Sequence, residues 1–198
     1  MKEIIIATKN KGKVNEFKAM FAEKGMVVKS LLDYEDIPDI VEDGQSFAEN
    51  AKIKAETIAQ KFGKTVLADD SGLIIDALNG HPGIYSARYA GPEKDDQKNI
   101  EKVLEELKGV PVEQRTARFH CAIAVSFPSG KTEIVEGNCE GLITQEPIGD
   151  HGFGYDPIMY IPEKDVTMAQ LPEAEKNQIS HRAQALKRLE EQWQEIFN

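Results

Sequence analysis

Ile4-Ile5-Ile6-Ala7-Thr8-Lys9-Asn10-Lys11-Gly12-Lys13 opens the chain as a β-branched apolar run, a polar turn and the start of a helix. The apolar run, taken from Lys2 to Thr8, reads as a buried strand. A helix from about Gly12 to Lys24 then carries Val14, Phe17 and Phe21 on one face. Strand followed by amphipathic helix sets the rhythm for what comes next. Val27 to Leu32 reads as a second strand, and an acidic loop follows through Glu35, Asp36, Asp39, Glu42 and Asp43. Ser46-Phe47-Ala48-Glu49 has capping-box spacing and opens a helix with Phe47, Ala51, Ala55, Ile58, Ala59 and Phe62 on its apolar face.

Farther along, strands are expected on both sides of an Asp69-Asp70 corner, the second running Leu73 to Leu78. Asn79 to Pro92 contains three Gly and two Pro, a loop of unusual length. A helix is expected from about Asp95 to Lys108, with Ile100, Val103, Leu104 and Leu107 as its stripe. Phe119 to Phe127 alternates, placing Phe119, Cys121, Ile123, Val125 and Phe127 on one side. Pro128-Ser129-Gly130 turns it into Lys131 to Glu136, a hairpin. A last helix, about Ser180 to Phe197, buries Ala183, Leu186, Leu189, Trp193 and Ile196. The order β-α-β-α-β-β-α-β-β-α predicts an α/β fold with a mixed sheet, in one domain covering residues 1–198.

Composition narrows the function. The 198 residues are 40% hydrophobic and 29% charged, values of an ordinary globular domain. A net charge of -10 argues against nucleic acid and against anionic membrane surfaces. It does not exclude a polyphosphate, because a few local cations and a metal dominate a single site. No apolar stretch approaches the roughly 20 residues of a membrane span, and Met1-Lys2-Glu3-Ile4 reads as strand rather than signal peptide. Cys121 and Cys139 lack metal-binding spacing and read as reduced thiols, so the expected location is cytoplasmic.

Four clusters carry chemistry. In Ala68-Asp69-Asp70-Ser71-Gly72 two carboxylates and a hydroxyl end the apolar run Thr65-Val66-Leu67, with Gly72 expected to turn the chain. Paired acids there suit a divalent cation and water. If the strand continued through them, Asp69 and Asp70 would face opposite ways and only one would point at the metal. The turn at Thr8 to Lys13 places backbone N–H groups at a helix N-terminus beside Lys9 and Lys13, an anion site. It lacks Walker spacing, which counts against a nucleotide kinase. Gly152-Phe153-Gly154-Tyr155-Asp156-Pro157 offers two flat rings for stacking a base. Lys176 and Ser180-His181-Arg182 gather donors just before the last helix. Taken one at a time, each reads equally as a solvated loop or a packed turn. Together they describe a nucleoside polyphosphate bound with magnesium. A non-enzymatic nucleotide sensor would share the pocket but has no use for a hydrolytic carboxylate.

The same residues carry a resemblance. Thr8-Lys9-Asn10-Lys11-Gly12-Lys13, Glu42, Glu49-Asn50-Ala51-x-x-Lys54-Ala55, the Asp69-Asp70 block, Pro82-Gly83-Ile84-Tyr85-Ser86-Ala87-Arg88-Tyr89, Phe153-Gly154-Tyr155-Asp156-Pro157 and Ser180-His181-Arg182 occur in order. From end to end the chain resembles the inosine/xanthosine triphosphate pyrophosphatase family. The resemblance implies an elongated, twisted sheet flanked by helices, with two lobes around a central cleft. It implies a magnesium-dependent homodimer converting ITP, dITP and XTP to the monophosphate and pyrophosphate. Carried over by position, Thr8, Lys9, Asn10, Lys11, Gly12 and Lys13 would hold phosphates, with Lys54 assisting. Glu42 and Asp70 would bind Mg2+, and Asp70 would accept the proton of the attacking water. Ser71 would touch substrate, and Phe153, Gly154, Tyr155 and Asp156 would sandwich the base. Lys176, His181 and Arg182 would read its keto edge.

Overall fold

The computed structural model describes residues 3–197, apart from the side chains at positions 12, 16 and 19. Lys2, expected to begin the first strand, lies outside the described residues. Strand β1 (Glu3–Ile6) leads into α1 (Lys11–Glu23), β2 (Val27–Ser30), α2 (Phe47–Phe62) and β3 (Thr65–Ile75). Helix α3 (Asp96–Glu106), β4 (Thr116–Ser126) and β5 (Thr132–Ile143) follow, then β6 (Met159–Ile161) and β7 (Val166–Thr167). Three helices close the chain: α4 (Glu173–Ile179), α5 (His181–Glu191) and α6 (Trp193–Phe197). The seven strands form one sheet in the order β2-β1-β3-β4-β5-β6-β7. β1 runs parallel to both β2 and β3, with Ile5 opposite Lys29 on one side and Val66 on the other. β5, β6 and β7 pair antiparallel, so the sheet is mixed as expected. Among the described residues no helix is long and apolar enough to cross a membrane.

Two compact units share these strands. The first holds the chain up to Asp70, Ala122–Glu136 and the chain from Glu191; the second holds Ser71–Cys121 and Gly137–Glu190. In the first, Ile4, Ile5 and Ile6 are fully or almost fully buried, as a parallel strand paired on both edges requires. Val14, Phe17 and Phe21 of α1 are buried too, and Phe21 packs on the rings of Trp193 and Phe197. In the second unit the core joins Leu73, Ile75, Ile100, Val103 and Leu107 to Phe119, Ile143, Tyr155, Ile158 and Met159.

Several expectations are corrected. β3 does not stop at Asp69-Asp70; it runs unbroken through Gly72. Gly72 serves close approach instead of a turn, since a Cβ there would lie 2.8 Å from the Gly83 carbonyl oxygen and 2.9 Å from Ser86 Cβ. The 79–92 segment is not an open loop. It holds a 3-10 helix, Gly83–Arg88, whose buried Ser86 hydroxyl accepts from Leu73 N–H at 2.9 Å and donates to Gly83 at 2.6 Å. β4 alternates in sequence, yet Ala122, Ala124 and Ser126 are as buried as Cys121, Ile123 and Val125, because both its faces are covered. β5 extends beyond Glu136 to Ile143. Its glycines had disguised the strand: Gly137 and Gly141 stand where a Cβ would strike the backbone of α5 and of Tyr160 respectively. The last helix is broken, with Gln192 between α5 and α6. Its buried face carries Arg182, Ala185, Leu189 and Ile196, while Ala183, Leu186 and Trp193 are only half-buried.

Candidate active site

The first unit brings Glu42, Lys54 and Asp70 together. Lys54 sits about two turns into α2, and its Nζ lies 3.0 Å from Glu42 Oε2 and 3.5 Å from Asp70 Oδ1. Burial alone would lower the Lys54 pKa, but Asp70, Glu42 and Asp69 outweigh it and hold the ammonium charged. Burial pushes the Asp70 carboxyl above the ordinary aspartate range; Lys54 opposes that shift, and Glu42 adds to it. Two carboxylates within reach of one ammonium are two oxygen donors within reach of one cation, and oxygen is what Mg2+ takes. Among the described residues no group of three or more His, Cys, Asp and Glu is placed to hold a metal ion. Glu42 and Asp70 fit an ion that keeps waters and binds phosphate oxygens, not one caged wholly by protein.

Asp69 faces elsewhere. Its carboxylate, almost wholly buried, takes the Lys13 ammonium at 2.7 Å. The unbroken strand thus sends the two acids to different lysines, as side-chain alternation demands. Lys13 begins on α1, where Asn10 is the N-cap: its Oδ1 accepts from Lys13 N–H at 3.2 Å, and Asn10 N–H donates to the Thr8 hydroxyl at 3.1 Å. Lys9, Asn10 and Lys11 are exposed around this turn, and Gly12 lies in the first turn of the helix.

Asn50 went unread in the sequence. It is 3% exposed on the apolar face of α2, four residues before Lys54. Its Oδ1 accepts from Gly44 N–H at 2.9 Å. The signal was available as a lone amide at a helical position otherwise filled by Phe47, Ala51, Ala55 and Ile58.

The second unit assembles a different cluster. Ser71, the residue after Asp70 on β3, is half-buried there. Asp156 is 5% exposed; its Oδ2 accepts from Lys176 Nζ at 2.5 Å and from Phe153 N–H at 3.1 Å. Burial raises the Asp156 pKa, and Lys176 is the chief opposing influence. Lys176 Nζ also stands 4.6 Å from the centroid of the Phe153 ring, which is 59% exposed. Gly152, at φ +75°, makes room, since a Cβ there would press on Asp156 and lie 3.2 Å from Lys176 Nζ. Gly154 N–H donates to Asp96 at 2.8 Å.

Tyr155 is the correction within this cluster. Expected as a stacking face, it is 6% exposed in the core, and its hydroxyl donates to the Ser86 carbonyl at 2.6 Å. Only Phe153 of the two rings presents a face. Lys176, expected just ahead of the last helix, belongs to the short helix α4. Ser180 then caps α5, its Oγ accepting from Ala183 N–H at 3.2 Å. His181 and Arg182 occupy the first turn of α5, with the His181 ring 5.1 Å from that of Phe119 and Arg182 buried.

Comparison with known proteins finds relatives over nearly the whole chain. A protein of Geobacillus kaustophilus named dITP/XTP pyrophosphatase is 60% identical over 99% of this chain and 96% of its own length. One of the same name from Halalkalibacterium halodurans is 64% identical over 96% of this chain and 98% of its own. Among solved structures, the Staphylococcus aureus Ham1 protein superposes with a TM-score of 0.92 at 46% identity, covering 98% of this chain and 99% of that one. The sequence profile of the Ham1 family matches residues 4–192. With the fold and nearly the whole length matched, the chain belongs to the Ham1 family.

Proposed function

We propose that this chain hydrolyses the deaminated purine nucleoside triphosphates dITP, ITP and XTP to the monophosphate and pyrophosphate, removing them from the nucleotide pool. It is thus an enzyme, a hydrolase acting on triphosphate anhydrides, as its relatives named dITP/XTP pyrophosphatase are. The observation that carries the reading is the Lys54 ammonium seated between Glu42 and Asp70.

Each residue then has a task. Thr8, Lys9, Asn10, Lys11 and Gly12 hold phosphate oxygens through the N-terminal donors of α1. Lys13, held by Asp69, adds a fixed positive charge, and Lys54 a second. Glu42 and Asp70 would hold Mg2+, which when bound supplies charge neutralisation on the phosphate oxygens. Asp70 accepts a proton from the attacking water, a task for which a carboxylate raised above its ordinary pKa is better matched. Ser71 contacts the substrate beside it. In the second unit Phe153 stacks on the base, and Lys176, His181 and Arg182 donate to its keto oxygen, Asp156 and the Gly154 turn keeping Lys176 and Phe153 in place. Adenine presents an amino donor at that edge. An unmade buried hydrogen bond costs about 1–3 kcal/mol, so one or two give roughly 10- to 10⁴-fold preference over ATP.

Pyrophosphate release from dITP, ITP, XTP and ATP, with Mg2+ and with EDTA, tests this. Turnover of the first three with Mg2+, little with ATP and none with EDTA is expected; release of orthophosphate, or preference for ATP, refutes it. We propose further that the protein acts as a cytoplasmic homodimer on free nucleotides rather than nucleic acid. Tyr85, 48% exposed with the Arg88 guanidinium 5.2 Å from its ring, is the candidate interface anchor. Light scattering at micromolar protein, giving twice the chain mass, is the check.

A further inference from the structure

Phe153, the exposed ring of its turn, stands between two glycines in the left-handed region, Gly152 at φ +75° and Gly154 at φ +59°. Glycine adopts positive φ at no steric cost, but it also gives the chain on either side more conformations to choose from. A ring carried between two such residues keeps one direction only if its flanking peptides are held. Both are. The peptide before Phe153 is held through its own N–H, which donates to Asp156 Oδ2 at 3.1 Å. The peptide after it is held through Gly154 N–H, which donates to Asp96 Oδ2 at 2.8 Å. Asp156 N–H closes the turn on the Phe153 carbonyl at 3.2 Å.

Asp156 belongs to the turn itself and is anchored by Lys176. Asp96 reaches it from another element. It lies exposed in the first turn of α3, and it is not what starts that helix: Asp95 is the N-cap, its Oδ1 accepting from Lys98 N–H at 2.9 Å. The helix below it is fixed. Ile100 and Val103 are buried in the core, and the buried Asn99 side chain accepts from Ala90 N–H at 2.7 Å and donates to the Ala87 carbonyl at 3.0 Å. α3 thus offers the Asp96 carboxylate to Gly154 N–H from a rigid base.

We infer that Asp96 is a positioning residue for the nucleobase: by holding the Phe153–Gly154 peptide it fixes the direction of the ring on which the purine stacks. The inference rests on the reading of Phe153 as that stacking ring, and adds a residue that acts through Phe153 rather than on the substrate. Every base has a flat face, so a stack gives affinity with little preference among bases. Loss of Asp96 therefore weakens ITP and ATP alike, unlike loss of a donor to the keto edge.

Variants of the full chain test it. Asp96→Ala removes the acceptor, Asp96→Asn keeps an oxygen for Gly154 N–H, and Asp96→Ala is also combined with Phe153→Ala. Amide exchange at Gly154 is read by nuclear magnetic resonance in ligand-free protein, and kcat and KM from pyrophosphate release with Mg2+. In Asp96→Ala, Gly154 exchange accelerates at least about tenfold, as loss of a hydrogen bond to a charged group implies. KM for ITP rises about fivefold or more, the low end of what a base–aromatic stack is worth, and kcat/KM for ATP falls by the same factor. kcat for ITP stays within about twofold, the mark of binding lost equally from ground and transition states. Asp96→Asn brings Gly154 exchange and KM back to within about threefold of wild type. Phe153→Ala raises KM by itself, and adding Asp96→Ala to it changes KM less than about twofold, because the two act as one unit. A merely structural aspartate would lower the unfolding midpoint and leave KM where it was. Should Asp96→Ala fail to fold, Asp96→Ser, too short to reach Gly154 and well tolerated at a helix start, decides in its place. A KM for ITP within about twofold of wild type in the folded variant overturns the inference, as does a loss confined to kcat, unchanged Gly154 exchange, or a KM effect undiminished beside Phe153→Ala. A Phe153→Ala variant with unchanged KM overturns the underlying reading of Phe153 instead, and Gly154 exchange then still decides whether Asp96 holds the turn.

Discussion

Asp69 and Asp70 are neighbours in the chain and opposites in their surroundings. Asp69 is spent on Lys13, with 2% of its side chain exposed; Asp70, with 18% exposed, faces Lys54. Substitution should separate them. Asp70→Asn is expected to cut kcat by at least about 100-fold, the range of a positioned general base, with the unfolding midpoint hardly moved. Asp69→Asn should instead lose about 1.5–3 kcal/mol of stability, the value of a charge-assisted hydrogen bond, in urea titration. A kcat above about a tenth of wild type in Asp70→Asn would remove the assignment. Lys176 permits a test with a sign. Asp156 is held above the ordinary aspartate range, so its folded state favours the proton, and its burial costs stability that is recovered as pH falls through that pKa. Lys176→Met takes away the cation that offsets this cost. We expect a loss of about 3–5 kcal/mol at pH 7 that shrinks at pH 5, measured by urea unfolding at both. At this scale the carboxylates and lysines stood out in the sequence, because charge following an apolar run or at a helix start has few structural uses. Tyr155 did not, because an aromatic beside glycine reads alike whether it faces ligand or core. Asn50 escaped for a related reason: an amide inside an apolar stripe shows its meaning only when its partner, the Gly44 N–H, is seen.

The elements were legible where period or cap was strong. Helices α1, α2 and α3 stand within a residue or two of expectation, with Asn10, Ser46 and Asp95 as side-chain caps. What escaped is short or glycine-broken: β6, β7 and α4 hold 3, 2 and 7 residues, too few to show a period. β3 was cut in two by reading Gly72 as a turn, although it marks the approach of Ser86. Gly137 on β5 is the same device and lends itself to experiment. A Cβ there would lie 2.8 Å from the Gln184 carbonyl carbon and strike the backbone of His181 and Ala185, so α5 rests directly on the strand. Gly137→Ala must push the helix outward, costing about 1–3 kcal/mol as overpacking does. Since α5 begins with His181 and Arg182, kcat/KM for ITP should fall while the low value for ATP stays put. Equal losses for both substrates would mean that the first turn of α5 does not read the base.

On the scale of the whole molecule, charge and cysteine placement are the informative features. A chain of net charge -10 that handles a polyanion must concentrate its cations locally, and Lys13, Lys54 and Lys176 are each held by a carboxylate. Such pairing orients the lysines without making the surface basic. The thiols report on integrity. Cys121 and Cys139 are both buried, in the second unit, and burial pushes the Cys139 thiol up to about 11 from an ordinary 9.0. The folded state therefore favours the protonated thiol, and this contribution is whole below pH 9 and disappears as pH climbs towards about 11. At pH 8 only about one Cys139 in a thousand would be a thiolate, the reactive form, and access would still require opening of the core. Alkylation by iodoacetamide at pH 8 should accordingly be slow in native protein, fast in urea, and slowed further by a ligand that stabilises the fold. The rate, followed by mass spectrometry, then measures opening of that unit in solution. Rapid labelling of Cys139 in native protein at pH 8 would mean that the second unit opens far more readily than its packed core around Ile143, Ile158 and Met159 allows.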